Sequence, residues 1–220
     1  MLEFLKATPL FDNLEHEELV RISTICEKKW VSKDTVLFRQ GEKGSTFYII
    51  VTGSVKIYNE SNEGKEKIIT VLRDRDSFGE FSILDGEARS ASVATMEDTL
   101  FLTISMDAFH LLLERNFSIT FKVIQQLVTR LRRTNQHVMD LVFLDAKSQI
   151  LKTLLSLASQ HGTRKGDRVS LGVVLTDADI ASMAGISAEL TGYVLQEMLT
   201  KETLVQEENM YYLDLAVIKK

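Results

Sequence analysis

FGEFSILDGEARSASV, residues Phe78–Val93, is the segment around which the rest of the chain is organised. It places one acid, Glu80, nine residues before one guanidinium, Arg89, which is followed directly by Ser90. A carboxylate accepts hydrogen bonds from sugar hydroxyls, and the planar fork of an arginine binds a phosphate. Because Gly79 precedes the acid, the backbone can approach a ligand closely there. The segment therefore predicts a pocket for a sugar phosphate, and an amphipathic turn with a surface ion pair is the alternative.

Composition limits the classes of protein to which the chain can belong. The 220 residues are 45% hydrophobic and 26% charged, which is typical of one large or two modest globular domains. The net charge of −5 excludes a uniformly basic surface, so any contact with nucleic acid needs a local basic patch. Cys26 is the single cysteine, which excludes an intrachain disulfide and suits a reducing cytoplasm. We expect no leader peptide at residues 1–13 and no segment that crosses a membrane.

The hydrophobic period changes along the chain. Residues 11–25 have helical spacing, with Asn13 as the expected N-cap. From Trp30 the period is two, in short runs separated by turn residues, and a last strand is expected at Thr99–Ile104. Short strands at this spacing predict an antiparallel sandwich or barrel.

A long helix is predicted from Phe117 to Leu141, after a short helix at Met106–Glu114, because the segment contains no glycine or proline. Apolar residues fall in a heptad frame that predicts a two-helix coiled coil, and hence a dimer. Packing of this face on the chain's own strands is the alternative. The frame has Phe117, Ile124, Leu131 and Val138 at a, and Thr120, Leu127, Thr134 and Leu141 at d.

The C-terminal third carries a helix-turn-helix pattern. Asp145 is expected to cap a helix at Ala146–Ser159, and residues 161–167 form a polar loop. Thr176–Leu199 then places Ala181 four residues before Gly185, the spacing of two helices that cross at a tight turn. Two short apolar runs, split by residues 206–209, predict a hairpin wing. The four histidines lack metal-ligand spacing and no nucleophile–base motif occurs, so neither a metal site nor catalysis is expected.

The segment 78–93 resembles the phosphate-binding cassette of cyclic-nucleotide-binding domains, in which F-G-E and R-[small]-A flank a short turn. Nearly the whole chain is similar to regulators of the cyclic-AMP receptor / fumarate–nitrate reductase regulator (Crp/Fnr) superfamily. The resemblance implies an α+β fold with a jelly-roll-like β-roll at 1–115, a long dimerisation helix at 116–143 and a winged helix-turn-helix at 144–220. It also implies a cytoplasmic homodimer that binds a cyclic nucleotide, with cAMP favoured, that has no other cofactor, and that has DNA and RNA polymerase as partners.

The resemblance assigns the ligand contacts residue by residue. Glu80 takes the ribose hydroxyl, Arg89 and Ser90 take the cyclic phosphate, and Thr134 and Asn135 reach the base. Asn135 stands where the family's cAMP receptor has serine, which leaves the base of the ligand open. The ligand-binding set implied is Gly79, Glu80, Phe81, Ser82, Arg89, Ser90, Ala91, Thr134 and Asn135.

The charge of the expected DNA-binding face conflicts with the resemblance. Duplex binding depends on neutralising phosphates with lysine and arginine. From Thr176 to Leu213 the only basic residue is Lys201, against seven acids, which gives −6. Two alternatives therefore stay open: the winged helix binds a protein, or the regulator senses another small ligand. The DNA-binding residues implied by the resemblance are Ser187, Ala188, Glu189, Thr191 and Tyr193.

Overall fold

The structure is a computed structural model that describes residues 1–61, 64–207 and 209–218. Its helices are α1 Leu2–Lys6, α2 His16–Ile25, α3 Phe81–Leu84, α4 Met106–Arg115, α5 Phe117–Phe143, α6 Ala146–His161, α7 Asp177–Ala184, α8 Ala188–Thr200 and α9 Leu215–Ile218. Its strands are β1 Glu27–Val31, β2 Val36–Phe38, β3 Thr46–Thr52, β4 Val55–Glu60, β5 Glu66–Leu72, β6 Ser77–Phe78, β7 Ser92–Thr95, β8 Thr99–Ser105, β9 Arg164–Lys165, β10 Arg168–Ser170, β11 Leu204–Glu207 and β12 Met210–Asp214.

The chain divides into two compact units. The first contains Met1–Gly64 and Ile69–Arg133, and the second contains Lys65–Ile68 and Thr134–Lys220, so the division falls inside α5. The predicted three-part division at 115 and 143 treated the long helix as a part of its own, and it stays a prediction.

Two four-stranded sheets form the β-roll of the first unit. Their strand orders are β1-β8-β3-β6 and β2-β7-β4-β5. β3 pairs antiparallel with both β8 and β6, and Tyr48 lies opposite Phe78. The sandwich or barrel predicted from the period-two runs and the jelly-roll-like β-roll implied by the resemblance are both confirmed. One core cluster between the sheets consists of Phe38, Tyr48, Ile50, Val55, Phe78, Val93 and Phe101.

A second core cluster joins the cassette to the helices that flank the β-roll. Phe47 and Phe109 stack with their ring centroids 4.3 Å apart, and Ile83 of α3 belongs to the same cluster. Ile119 and Val123 bring the first turns of α5 into it. The cassette and the start of the long helix therefore rest on one packed core.

The second helix, α2, begins later in the chain than the sequence predicted. α2 starts at His16 with Glu15 as its N-cap, so Asn13 is not the cap. The Glu18 carboxylate accepts a hydrogen bond from the Glu15 N–H at 2.8 Å, which satisfies a donor that no helical carbonyl can reach. Residues 11–15, predicted to belong to this helix, lie outside it. The spacing of apolar residues does not show that the Glu18 carboxylate bonds the backbone N–H of Glu15.

Helix α5 presents two different apolar faces. Ile119 and Val123 are buried against the β-roll, whereas the four a positions of the heptad frame are exposed. Packing on the chain's own strands therefore accounts for one face only. The exposed a positions are Phe117, Ile124, Leu131 and Val138.

The second unit is a winged helix. Gly185 links α7 to α8 in the left-handed conformation with φ of 76°, which only glycine adopts without strain. Thr176 caps α7 and Ser187 caps α8, and both caps accept from backbone N–H groups. Strands β11 and β12 pair antiparallel as the wing. The predicted helix-turn-helix with its wing is confirmed.

The segment 161–167, predicted as a polar loop, contains half of a hairpin. β9 pairs antiparallel with β10, and β10 pairs with β12, so the wing sheet has the order β11-β12-β10-β9. Hydrophobic period does not reveal these short strands, because both residues of Arg164–Lys165 are polar and lie exposed. Residues 208, 219 and 220, which the sequence analysis included in the wing domain, lie outside the described residues.

Phe47→Ala tests the shared core. Phe47 is 1% exposed, so truncation should lower the free energy of unfolding by about 3–5 kcal/mol. Trp30→Ala, at a tryptophan that is 66% exposed, is the control and should change it by less than about 0.5 kcal/mol. Urea unfolding followed by circular dichroism measures both. Equal effects of the two variants would contradict the assignment of Phe47 to the core.

Candidate functional site

Glu80 is held at the junction of β6 and α3. It follows the last strand residue, Phe78, after one glycine and is the N-cap of α3. Its carbonyl accepts hydrogen bonds from the N–H groups of Ile83 at 3.1 Å and Leu84 at 2.9 Å. The side chain is buried, with the residue 4% exposed. Burial, the largest effect, raises the pKa of the Glu80 carboxyl, and the positive charges of Arg130 and Arg89 oppose that rise.

The guanidinium of Arg89 lies in the same pocket, and the residue is 6% exposed. Its Nη1 donates to the Gly79 carbonyl at 2.8 Å and to Ser82 Oγ at 2.9 Å. Its Nη2 donates to the Thr46 carbonyl at 2.8 Å. The guanidinium carbon also lies 4.1 Å from the centre of the Phe38 ring, a cation–π contact. Strands β2 and β3, helix α3 and the backbone of Gly79 therefore fix the orientation of this cation.

The loop before β3 closes around the backbone of Arg89. The Arg89 N–H donates to the Glu42 carbonyl at 2.8 Å, and its carbonyl accepts from the Gly41 N–H at 2.9 Å. Gly44 makes the closest approach: a Cβ there would lie 2.1 Å from Ser82 Oγ and 2.6 Å from Arg89 Nε. The pocket therefore requires glycine at this position, and the sequence analysis did not identify it as a site residue.

Arg130 of α5 reaches into the pocket and pairs with Glu80. Its Nη1 donates to Glu80 Oε1, and its Nη2 donates to the Ser77 carbonyl at 2.5 Å. The Arg130 side chain is 31% exposed and that of Glu80 is 6% exposed, so the pair extends from the protein interior to its surface. Arg130 was not among the ligand-binding residues that the resemblance implied.

Two atoms of the pocket lack hydrogen-bond partners among the described residues. Glu80 Oε2 and Arg89 Nε are both buried and unsatisfied. A buried polar atom without a partner is costly, by about 1–3 kcal/mol and more for a charged group. A ligand that donates to the carboxylate and accepts from the guanidinium would satisfy both atoms. Sugar hydroxyls and phosphate oxygens have these two properties.

Comparison with known proteins agrees with this geometry. Residues 28–116 match the family described as "Cyclic nucleotide-binding domain". The chain is 30% identical over 197 residues to the "CRP-like cAMP-activated global transcriptional regulator" of Mycobacterium tuberculosis, covering 90% of this chain and 88% of that one. It is 35% identical over 178 residues to the "cAMP-activated global transcriptional regulator CRP" of Salmonella typhimurium, covering 80% and 83%. The chain belongs to the Crp/Fnr family.

Solved structures of this family share the fold. FixK2 from Bradyrhizobium japonicum superimposes with a TM-score of 0.77 at 17% identity, over 89% of this chain and 96% of that one. The c-di-GMP responsive regulator CLP of Xanthomonas campestris gives 0.75 at 21% identity, over 90% and 99%. These likenesses show the fold, and the curated relatives above place the chain among transcription regulators of the Crp/Fnr family.

The remaining cassette residues expected to bind ligand have different exposures. Ser82 and Ala91 are buried, Phe81 is 43% exposed, and Ser90 lies at the surface beside the buried Arg89. A Cβ at Gly79 would lie 2.8 Å from the Thr46 carbonyl, so glycine is required there too. Ser82 acts by orienting Arg89, because its hydroxyl oxygen accepts from that guanidinium.

Thr134 and Asn135, expected to reach the base, are exposed on α5 and belong to the second unit. Thr134 lies about one helical turn beyond Arg130 along the same helix. Their contact with a base stays a prediction.

His110 is a site-supporting residue that the sequence analysis did not identify. Its Nε2 lies 2.8 Å from the carbonyl oxygen of Ile83, in the last turn of α3. Such carbonyls have no partner within a helix. His110 therefore ties α3, and with it Glu80 and Ser82, to α4. Asn116 then bonds the Leu112 carbonyl where α4 meets α5. A single histidine on an amphipathic helix carries no sequence signal for this role.

The residues expected to bind DNA lie around the start of α8. Ala188, Glu189 and Tyr193 are exposed. Ser187 is exposed as well, but its Oγ accepts from the Leu190 N–H at 3.3 Å as the helix cap. Thr191 is 0% exposed, and its hydroxyl has no hydrogen-bond partner among the described residues. Thr191 was therefore wrongly placed on this surface, since its helical position faces the domain core.

Ion pairs offset much of the acidity of the winged helix. Glu197 accepts from Lys147 at 2.7 Å and from Lys201 at 2.6 Å, and these bonds lower its pKa to about 2. Arg168 donates to Glu207 at 2.8 Å. Two of these cations lie outside residues 176–213, so the count of −6 overstates the negative charge of the folded surface.

The buried carboxyl predicts a pH dependence of stability. Because the folded pKa of Glu80 is raised, its contribution to stability is complete below the ordinary value of 4.5 and is lost as pH rises through the folded pKa. We expect the free energy of unfolding of Glu80→Gln to fall less than that of the unmodified protein between pH 4.5 and neutral pH. Glu114→Gln, at an exposed residue of α4, is the control. Parallel pH profiles for Glu80→Gln and the unmodified protein would contradict this expectation.

Proposed function

We propose that this Crp/Fnr protein regulates transcription in response to a cyclic purine nucleotide, with cAMP as the favoured ligand. The observation that carries the proposal is the pair of buried, unsatisfied atoms, Glu80 Oε2 and Arg89 Nε, in one pocket. A ribose hydroxyl donates to the first, and a cyclic phosphate accepts from the second. The relatives named as cAMP-activated support cAMP.

Each pocket residue has a distinct role in this proposal. Glu80 orients the ribose, while Arg89 and the exposed Ser90 hold the phosphate. The two Nη atoms of Arg89 already bond protein oxygens, which fixes the cation before the ligand arrives and reduces the entropy lost on binding. Thr134 and Asn135, whose side chains can both donate and accept, take the purine edge.

Arg130 connects the pocket to the long helix. It bonds the carboxylate that the ribose hydroxyl would use, so nucleotide and α5 interact with the same group. A ligand that prefers one arrangement of this pair shifts the population of α5 positions. The contact between Arg130 and Glu80, which both belong to the first unit, therefore provides a physical basis for allosteric control.

Homodimerisation through α5 belongs to the same proposal. The a positions of the heptad frame are 79%, 49%, 60% and 53% exposed at Phe117, Ile124, Leu131 and Val138. A second copy of the chain would cover these four side chains, as the partner helix does in a coiled coil. RNA polymerase is a further partner proposed from the family.

A charged substitution at an a position tests this dimer interface. Leu131→Lys introduces a cation at an a position and should shift the protein from dimer to monomer in sedimentation velocity at micromolar concentration. Gln125→Lys adds the same charge at an exposed b position and should leave the dimer intact. A dimer that survives Leu131→Lys would contradict the assignment of the interface to this face.

Ligand binding tests the pocket. Arg89→Ala should weaken cAMP binding by at least about 30-fold in isothermal titration, because truncating a buried charge-assisted contact costs about 2–5 kcal/mol. Arg39→Ala, at an arginine with a 60% exposed side chain, is the control and should bind normally. Ser90→Ala separates the phosphate contact from folding, because this exposed hydroxyl can be removed without opening the core.

Two outcomes would count against the site or the ligand. cAMP binding that survives both Arg89→Ala and Ser90→Ala would refute the phosphate site. Binding of cGMP or c-di-GMP in place of cAMP by the unmodified protein would favour the alternative of a regulator that senses another small ligand.

DNA is the proposed effector target, through Ser187, Ala188, Glu189 and Tyr193. Glu189 can accept from a cytosine amino group in the major groove. The second candidate is a protein that docks on α8, favoured by the exposed Leu190 and Tyr193 and by the lack of lysine or arginine in α8. Retention of duplex DNA at low salt, with and without cAMP, distinguishes the two.

A further inference from the structure

The outward face of α8 is apolar at its centre. Tyr193 is 71% exposed and Leu190 is 43% exposed, and Ala188 at the first helical position is also exposed. Glu189 and Gln196 are the polar residues that flank them. The buried side of the helix consists of Thr191, Val194, Leu195 and Met198, so Leu190 and Tyr193 take no part in the domain core.

These exposed side chains have little capacity to distinguish bases by hydrogen bonds. The commonest specific contact to guanine is a bidentate arginine or lysine, and α8 contains neither. Alanine and leucine carry no side-chain donor, so what they can recognise in the major groove is the C5-methyl group of thymine. The ring of Tyr193 presents an apolar face of the same kind, with one hydroxyl at its tip.

We propose that Leu190 and Tyr193 determine the base specificity of this regulator by contacting thymine methyl groups. This inference rests on the proposed DNA-binding function and adds the chemical class of the operator, a half-site whose key positions are thymines. Glu189 supplies the one polar contact, to a cytosine beside them. At the base pairs that Leu190 and Tyr193 contact, guanine is disfavoured because its acceptors stay unpaired.

The same surface predicts a weak dependence on salt. Each neutralised phosphate adds about −0.9 to the slope of log affinity against log salt. α8 contributes no cation, and Arg168 of the wing sheet is engaged by Glu207 and Asp214. Arg164 and Lys165 on the β9–β10 hairpin are exposed, but Arg164 already donates to the Gly166 carbonyl at 2.9 Å and lies 3.9 Å from the Asp167 carboxylate. The specificity should therefore depend mainly on the apolar contacts.

The experiment removes single methyl groups from the DNA. The 220-residue chain with cAMP selects duplexes from a random pool at low salt. Each thymine of the selected half-site is then replaced in turn by deoxyuridine, which keeps every hydrogen bond and lacks only the methyl group. We expect a loss of about four-fold in affinity at one or two positions, the value for one buried methyl group.

The matched variants locate the contact. In Leu190→Ala or Tyr193→Ala, the penalty for deoxyuridine should disappear at one position, because the partner of that methyl group is gone. Leu155→Ala removes another exposed leucine of the second unit, outside α8, and should keep the full penalty. This double-mutant design is insensitive to a general loss of affinity.

Three outcomes are distinguishable. A methyl penalty that each α8 variant abolishes supports the inference. Specific DNA binding without such a penalty, or with one that persists in both variants, overturns the inference and leaves the DNA-binding function standing. Failure to retain any duplex overturns the inference and the DNA function together, and it favours the docking of a protein on α8.

Discussion

A carboxylate and a guanidinium buried in one pocket form the constraint on which this structure depends. Glu80 and Arg89 are both almost fully enclosed, and each keeps one polar atom that has no partner among the residues that the structure describes. Isolated buried charges are strongly unfavourable. Here the cost is offset by the carbonyls of Gly79 and Thr46 around Arg89, and by Arg130 beside Glu80. Strand β3, the short helix α3 and the middle of α5 all contribute partners to these charges.

The partners of Glu80 explain how a pocket in a β-roll can influence a helix on its surface. Arg130 approaches from α5, while His110 fixes α3 to α4, which leads into α5. The carboxylate is thus connected to the long helix by two routes, one ionic and one through the backbone of α3. Both routes meet at Glu80. A ligand that bonds the Glu80 carboxylate therefore contacts the residue at which these two connections to α5 meet.

The winged helix shows how residue counts can mislead about a surface. The sequence between Thr176 and Leu213 is strongly acidic, yet Lys147 and Arg168 enter from outside that segment and pair with Glu197 and Glu207. The face of α8 that remains is better described as apolar than as acidic. Its chemistry differs from the usual cationic DNA-binding surface. The target proposed for the winged helix therefore depends on the exposed apolar side chains of α8, Leu190 and Tyr193.

Much of the fold and part of the pocket were determined by local sequence. The period of two, the long helix without glycine or proline, the cap at Thr176 and the turn at Gly185 follow from near neighbours, and the structure has them. Local signals missed α3, the β9–β10 hairpin and the true start of α2, because short elements depend on contacts as much as on period.

Sequence alone identified Glu80 and Arg89, since both belong to one short segment with a distinctive spacing. Tertiary structure alone decided that Arg130 pairs with Glu80, that Gly44 must lack a side chain, and that Thr191 faces inward. The first two facts depend on residues that lie far apart in the chain. The third depends on which side of α8 faces the domain core. Spacing along a sequence specifies which side chains are available, and only packing in three dimensions specifies which of them meet.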